Sequence, residues 1–126
     1  ASGSVTMKEA KQEPDQWGRW VESAVGSSLA NGIVGRSIEL FYWSSRNREV
    51  DFVLSRKNEL VAIEVKSSDR IDTRDLKGLR AAADDFRPKS KILVSAERWT
   101  RTTDDGIRIL PSRLFLERLW SGDIIN

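Results

Sequence analysis

The sequence of 126 residues contains no cysteine and no histidine. These absences exclude disulfide bonds, thiolate nucleophiles, zinc sites built from cysteine and histidine, and acid or base catalysis by histidine. Any chemistry must therefore rest on carboxylates, lysine, hydroxyl groups or a bound metal ion. The lack of cysteine also fits the reducing cytoplasm, which we expect as the location of the protein.

Long apolar segments and a strong charge of one sign are missing as well. No apolar run approaches the roughly 20 residues that span a bilayer, so we expect no membrane association. The formal net charge is only +2, although charged residues make up 32% of the chain. Any affinity for nucleic acid must therefore come from local clusters of lysine and arginine.

The chain divides into a short tail and one domain. Residues 1–14 are small and polar without periodicity, which predicts a disordered tail or a remnant of cloning. Residues 15–126 suffice for a single domain with its own core. Apolar residues at helical spacing predict a first helix that starts at Asp15 and stops at Asn31 and Gly32.

The rest of the domain alternates between short strand patterns and two further helices. The predicted segments are a strand at Ser37–Trp43, a turn at Ser44–Arg48, strands carrying Asp51 and Glu64, a helix from Asp72 to Arg87, a strand at Lys91–Ala96, a mobile loop at Glu97–Gly106, an edge strand at Ile107–Leu110 and a helix from Pro111 to Trp120. Trp17, Trp20 and Trp120 fall at helical spacing and are expected in the core. The order is α-β-β-β-α-β with a β-α tail, an α/β fold.

A hairpin turn centred on Lys57 and Asn58 gives the two middle strands a testable register. It pairs apolar residues on one face. These pairs are Leu54 with Val61, Phe52 with Ile63, and Val50 with Val65. The opposite face then pairs Val53 with Ala62, Asp51 with Glu64, and Glu49 with Lys66, which sets two carboxylates about 5 Å apart.

Two carboxylates in this arrangement repel each other, and a divalent cation is one reason to keep them. Mg²⁺ and Mn²⁺ prefer oxygen ligands, which Asp51 and Glu64 supply. Lys66 lies on the same face about 6.6 Å beyond Glu64, where it can orient a water or screen phosphate charge. In the alternative interpretation, Glu64 and Lys66 face water and Lys66 is neutralised by Glu49.

The combination of element order and these residues resembles the PD-(D/E)XK nuclease superfamily, which includes the restriction-endonuclease-like folds. The resemblance spans Trp17 to about Ala96. Within this superfamily, the resemblance is more specific to the nuclease-like C-terminal domain of prokaryotic AAA-type ATPases. The segments that carry it are Gly18-Arg19-Trp20-Val21-Glu22, Tyr42-Trp43, Glu49-Val50-Asp51-Phe52-Val53, Ala62-Ile63-Glu64-Val65-Lys66 and Leu76-Lys77-Gly78-Leu79-Arg80.

The resemblance implies a mixed central sheet flanked by helices and a Mg²⁺- or Mn²⁺-dependent nuclease site. It places metal ligands at Asp51, Glu64 and the main-chain carbonyl of Val65, the water-orienting lysine at Lys66, and a helix carboxylate at Glu22. Glu22 would serve a second ion or its waters. By itself, the pattern around Glu22 indicates a solvated helix glutamate. The superfamily's proline before the aspartate is missing, since Val50 stands there.

Two groups of basic residues are candidates for nucleic-acid binding. Arg70, Arg74 and Lys77 flank the second helix at helical spacing and can neutralise phosphates. The alternative, which the pattern favours, is a solvated helix face partly balanced by Asp72 and Asp75. Arg98 and Arg101 enclose Trp99, which would either stack on a base or anchor its loop in the core.

The resemblance also implies partners. DNA is the expected substrate, and an AAA-type ATPase domain is the expected neighbour within the parent protein. The chain itself lacks the G-x-x-x-x-G-K-[ST] loop of such ATPases, which favours an excised domain. A homodimer would let two sites cut two strands. The alternative function is a module with the nuclease fold that does not cleave and instead binds nucleic acid or protein, docking or regulating the ATPase.

Overall fold

The computed structural model describes residues 38–125 and three further residues, 23, 26 and 27. These three residues are helical. The other residues of the predicted first helix, including Glu22 and both of its tryptophans, lie outside the described residues.

The described chain forms six strands, a 3₁₀ turn and two helices, which we number in chain order. They are β1 (Glu39–Ser45), β2 (Arg48–Arg56), β3 (Glu59–Val65), the 3₁₀ turn (Thr73–Leu76), α1 (Lys77–Phe86), β4 (Ser90–Ser95), β5 (Arg101–Thr102), β6 (Ile107–Pro111) and α2 (Ser112–Ser121).

All six strands join one mixed sheet in the order β1-β2-β3-β4-β6-β5. The first three strands form an antiparallel meander. The connection through α1 then makes β4 parallel to β3, and β6 is parallel to β4. The carboxyl ends of β3, β4 and β6 therefore meet at one edge of the sheet. The predicted α/β class is confirmed.

The two helices cover opposite faces of the sheet. Leu76, Leu79 and Ala82 from the α1 side pack on Val53, Ala62 and other residues of one face. Phe115 and Leu119 of α2 pack on the other face, which includes Phe52 and Ile63. The strands rich in branched apolar residues are thus buried on both faces, as expected for strands between two helical layers.

Local signals explain where α1 begins and ends. The Asp72 side chain accepts a hydrogen bond from the Arg74 N–H, and Asp75 accepts one from the Asp72 N–H, which closes a capping box before the 3₁₀ turn. The helix ends at Arg87 in the left-handed conformation, directly before Pro88. The limits predicted from Asp72 and Pro88 hold for the helical segment as a whole, but its first turn is 3₁₀ and α1 itself begins at Lys77 without a side-chain cap.

The predicted hairpin register is confirmed over most of its length. The structure pairs Leu54 with Val61, Phe52 with Ile63 and Val53 with Ala62 around the two-residue turn at Lys57 and Asn58. The apolar partition of the two strands was sufficient to fix this register, because a slip of one residue would have moved each side chain to the other face.

Three other predictions were wrong. Trp120 is 56% exposed on α2 and not part of the core. The segment Glu97–Gly106 is not entirely loop, since it contains β5. Consequently β6 is not an edge strand, because β5 pairs with it through Arg101 and Thr102. A two-residue strand leaves no periodicity in a sequence, and only its partner defines it.

Within the part of the chain that the structure describes, neither helix has the length and apolarity needed to cross a membrane.

Candidate active site

A bulge in β2 determines how the candidate residues are placed. Phe41 pairs with Val53, but Trp43 pairs with Val50, so Asp51 and Phe52 together oppose Tyr42. Such an extra residue disrupts the ladder and re-aims side chains. Bulges are common beside active sites.

The bulge makes one predicted pair wrong. Val50 was expected on the face of Phe52, opposite Val65. It packs instead with Val53 against the α1 layer, whereas Val65 belongs to the α2 layer. The extra residue changes the alternation of side chains between Val53 and Val50, so the two valines share a face although three positions separate them.

Asp51 and Glu64 are brought together by two hydrogen bonds from main-chain N–H groups to their carboxylates. The Asp51 N–H donates to Glu64 Oε1 at 2.9 Å, and the Val65 N–H donates to Asp51 Oδ2 at 2.9 Å. The next main-chain donor, the Lys66 N–H, bonds to the Val94 carbonyl of β4. Side-chain carboxylates thus bridge β2 and β3 just beyond the last regular ladder pair, Phe52 with Ile63.

Both carboxylates are buried, with only 2% of Asp51 and 4% of Glu64 exposed. Burying a charged carboxylate is costly unless hydrogen bonds or opposite charge compensate it. The main-chain N–H groups of Asp51 and Val65 supply part of that compensation. The rest of the fold therefore holds two acidic groups at a place where apolar residues would be less costly.

Lys66 connects this buried pair to the surface. Its Nζ lies 3.3 Å from Glu64 Oε2, and its side chain is 34% exposed. The structure thus pairs Lys66 with Glu64 rather than with Glu49, the partner expected from a regular ladder. Glu49 instead accepts a hydrogen bond of 2.6 Å from the Tyr42 hydroxyl. This bond, together with burial, raises the pKa of Tyr42 above its usual value.

The buried pair lies beside a cleft of about 250 Å³, open to solvent at the amino-terminal end of α1. Glu64 and Lys66 line it. The basic residues in its wall are Arg48, Lys66, Arg74 and Lys77, and the acidic ones are Glu49, Glu64 and Asp75. Arg48 was not singled out in the sequence because it lies in a polar stretch that indicates only a turn.

Gly78 brings α1 close to this cleft. A Cβ atom at this position would overlap the main-chain carbonyl oxygen of Glu49. Only glycine therefore allows the first turn of the helix to touch β2 here. The wall of the cleft depends on this contact, since Lys77 and Gly78 both line it.

The basic residues predicted to bind nucleic acid occupy different environments. Arg74 and Lys77 line the cleft, and Arg74 also forms an exposed ion pair of 3.2 Å with Asp72. Hydrogen bonds from Arg74 lower the pKa of Asp72. Arg70 is exposed. Arg98 lines a separate cleft beyond the ends of β4 and β6.

Arg101 has a structural role in the fold. Its guanidinium donates to both carboxylate oxygens of Glu97 at 3.0 Å and to the Ile71 carbonyl at 2.9 Å. Glu97 in turn accepts a hydrogen bond from the Ile71 N–H. This clip ties β5 to the segment that follows β3. The Arg101 hydrogen bonds lower the pKa of Glu97.

Three of the expected metal ligands lie among the described residues, namely the side chains of Asp51 and Glu64 and the main-chain carbonyl of Val65. Among residues 38–125, no three acidic, histidine or cysteine side chains come together as a complete metal site. Asp51 and Glu64 offer hard oxygen donors that suit Mg²⁺ or Mn²⁺. The predicted Glu22 lies outside this range.

The sequence model of one family matches most of this chain. The family is described as Domain of unknown function (DUF4143), and the match covers residues 17–115. The chain belongs to this family. No curated protein matches the chain, and no solved structure does.

Proposed function

We propose that this chain is a nuclease domain with a restriction-endonuclease-like core that hydrolyses phosphodiester bonds in DNA with the help of Mg²⁺ or Mn²⁺. One observation carries the proposal. The buried carboxylate of Glu64 accepts a hydrogen bond from the Asp51 N–H, that of Asp51 accepts one from the Val65 N–H, and Lys66 Nζ lies 3.3 Å from Glu64 at an open cleft. The order of β1, β2, β3, α1 and β4, after a helical segment, also supports such a core.

The chemistry of the cluster suits a hard cation. Asp51 and Glu64 bring two buried carboxylates together, and carboxylate oxygens are ligands that Mg²⁺ and Mn²⁺ prefer. In the proposed site Asp51, Glu64 and the Val65 carbonyl would hold the ion, and Glu22 would serve a second ion or its waters. The bound ion would polarise the scissile phosphate and provide hydroxide from a coordinated water.

The residues of the chain then position the substrate. Lys66 lies beside Glu64, so it would orient the attacking water and stabilise negative charge that develops on the phosphate. Arg48, Arg74 and Lys77 would neutralise the neighbouring phosphates of the strand, because they line the same cleft.

Cleavage of labelled DNA, with and without Mg²⁺ or Mn²⁺, tests this proposal. Lys66→Ala is expected to slow cleavage about a hundredfold or more, since it removes a preorganised cation at the reacting phosphate. Lys57→Ala is the matched control, because Lys57 is exposed in the turn at the far end of β3. Circular dichroism would show that both variants remain folded.

Cleavage that persists in the Lys66→Ala variant and also in the separate Asp51→Asn variant would contradict the proposed mechanism. Asn retains an acceptor oxygen for the Val65 N–H, so Asp51→Asn changes the charge with little change in shape.

A second function is favoured by a different observation. Lys66 already forms an ion pair with Glu64, and no cluster of three acidic side chains is found among the described residues. The domain would then bind nucleic acid or protein without cleaving it and would dock or regulate an AAA-type ATPase in the same parent protein. A chain that Mg²⁺ stabilises against heat but that cleaves no nucleic acid would establish this alternative.

A further inference from the structure

A second cleft, of about 860 Å³, lies beyond the carboxyl ends of β4 and β6. It is bounded by the segment after β4 and by the first turns of α2. Trp99 lines it and is 77% exposed, so this tryptophan does not anchor its loop in the core. A large indole left in water at the wall of a cleft has no structural role that the described residues reveal.

The charges around Trp99 complement a phosphate backbone. Arg98 and Arg113 both line the cleft and are both exposed. The wall also contains two acidic residues. The carboxylate of Glu97 accepts hydrogen bonds from Arg101 and from the Ile71 N–H. Glu117 lies one turn after Arg113 on α2. The amino-terminal end of α2, where Ser112 lines the cleft, adds favourable potential for an anion.

The second cleft is close to the candidate active site. Because β3, β4 and β6 are parallel neighbours, their carboxyl ends lie at one edge and β3 is about 10 Å from β6. The segments after β3 and β4 are joined by a hydrogen bond of 3.0 Å from the Ala96 N–H to the Ser68 carbonyl. The two clefts therefore lie at the same edge of the sheet.

We infer that this cleft binds an unpaired stretch of nucleic-acid strand, with a base stacked on Trp99 and the adjoining phosphates held by Arg98 and Arg113. This inference rests on the proposed function, because it names the form of substrate that the active site receives. Stacking needs the face of a base, which paired bases inside a duplex do not offer. The enzyme would therefore act on single-stranded or locally opened substrates.

Fluorescence polarisation with the full chain tests the inference in EDTA, where metal-dependent cleavage cannot consume the probe. The probes are a labelled thymidine oligonucleotide of roughly 12 nucleotides, its uridine counterpart, a duplex of equal length and an abasic strand. We expect the unpaired strands to bind more tightly than the duplex. The comparison of the thymidine and uridine probes distinguishes DNA from RNA.

Trp99→Ala is expected to weaken binding of the unpaired strands about tenfold and to leave binding of the abasic strand unchanged. Trp120→Ala is the matched control, since Trp120 is also exposed but lies outside the cleft. Arg98→Ala should weaken binding of all strands and lower the salt dependence by about one counterion.

Equal losses for Trp99→Ala and Trp120→Ala, an equal loss on the abasic strand, or no binding of any oligonucleotide would overturn the inference. The proposed function is decided separately by cleavage that depends on Lys66. Lys66-dependent cleavage without a role for Trp99 would refute only the binding cleft. Trp99-dependent binding in a chain that does not cleave would refute only the nuclease.

Discussion

Two groups of acidic and basic side chains lie near the same edge of the sheet and use charge differently. At the end of β3, the carboxylates of Asp51 and Glu64 are buried and accept hydrogen bonds from main-chain N–H groups, and Lys66 Nζ lies 3.3 Å from Glu64. At β5, Glu97 meets one guanidinium, that of Arg101, through two hydrogen bonds, and both side chains also hold the main chain of Ile71.

The two groups differ in the partners of their carboxylates. The Glu97 and Arg101 clip pairs one carboxylate with one guanidinium, so it fastens one segment to another. Asp51 and Glu64 accept hydrogen bonds from main-chain N–H groups, with Lys66 at Glu64, in a place with little water. Burying two carboxylates is costly compared with apolar residues of similar size, which fits the proposed role of the pair in an active site.

The largest expected effect on stability comes from breaking the buried pair. Asp51→Ala leaves the Val65 N–H without its acceptor and should lower the free energy of unfolding by about 3 to 5 kcal/mol. Urea denaturation would measure the change. Asp69→Ala, at an exposed position, is the control and should stay within about 0.5 kcal/mol of the original chain. A loss below about 1 kcal/mol at Asp51 would show that the pair is not a buried, coupled unit.

The next largest effect on stability is expected at Gly78 of α1, the helix that lines the cleft. The sign of the change tests the contact between α1 and β2. An alanine normally stabilises a helix relative to glycine by about 1 kcal/mol. Gly78→Ala should instead destabilise the fold by about 1 to 3 kcal/mol, because the new Cβ overlaps the Glu49 carbonyl. Asp84→Ala, exposed on the same helix, is the control and should be neutral or slightly stabilising. Thermal unfolding of both variants would decide whether α1 touches β2 as described.

The clip of Glu97 and Arg101 should make a smaller contribution to the free energy of unfolding, and this contribution should depend on pH. Arg101→Gln is expected to lower the free energy of unfolding by about 1 kcal/mol at neutral pH. Because Arg101 lowers the pKa of folded Glu97, this contribution is present above the usual value of about 4.5 and is lost as the pH falls through the lowered pKa.

The difference between the original chain and Arg101→Gln should therefore shrink in acid, as measured by urea denaturation across pH. A difference that persists unchanged in acid would mean that the guanidinium acts by contacting Ile71 rather than Glu97. Cleavage of DNA should change little in this variant, since the clip is not part of the proposed site.

The smallest effect is expected at the exposed pair of Arg80 and Asp105. Arg80 donates two hydrogen bonds to Asp105, the shorter of 2.8 Å, and lowers the pKa of that carboxyl well below its usual range. Both side chains are nearly half exposed, so solvent screens the interaction. Arg80→Ala should cost below about 0.5 kcal/mol, and less at high salt. A cost as large as that of Asp51→Ala would contradict the contrast between balanced surface pairs and the buried cluster.

Much of the fold could be predicted because local patterns and burial agree. The alternation of apolar residues around Lys57 and Asn58 fixed the hairpin, and Asp72 with Pro88 marked the limits of the second predicted helix. Trp120 shows the limit of such patterns. Its spacing matched an apolar stripe, but helical spacing does not tell whether the neighbouring surface is covered by another element.

The sequence predicted which residues form the candidate site better than it predicted the contacts among them. Asp51, Glu64 and Lys66 were recognisable as charged residues inside apolar strands. The structure pairs Lys66 with Glu64 and Tyr42 with Glu49. These pairings were not predictable from the strand register. They depend on the bulge opposite Tyr42, and a bulge has no signature in the alternation of these residues.

By itself, the sequence determined the α/β class, the hairpin register near its turn and the identity of the charged residues in apolar strands. These features depend on interactions between near neighbours in the chain, whose spacing is written in the residues. Only the tertiary structure decided that Val50 changes face, that Arg101 fastens a loop and that Trp99 stands exposed beside a cleft. Each of these depends on contacts between segments distant in sequence, where packing and hydrogen bonding select one arrangement among several that the same residues permit.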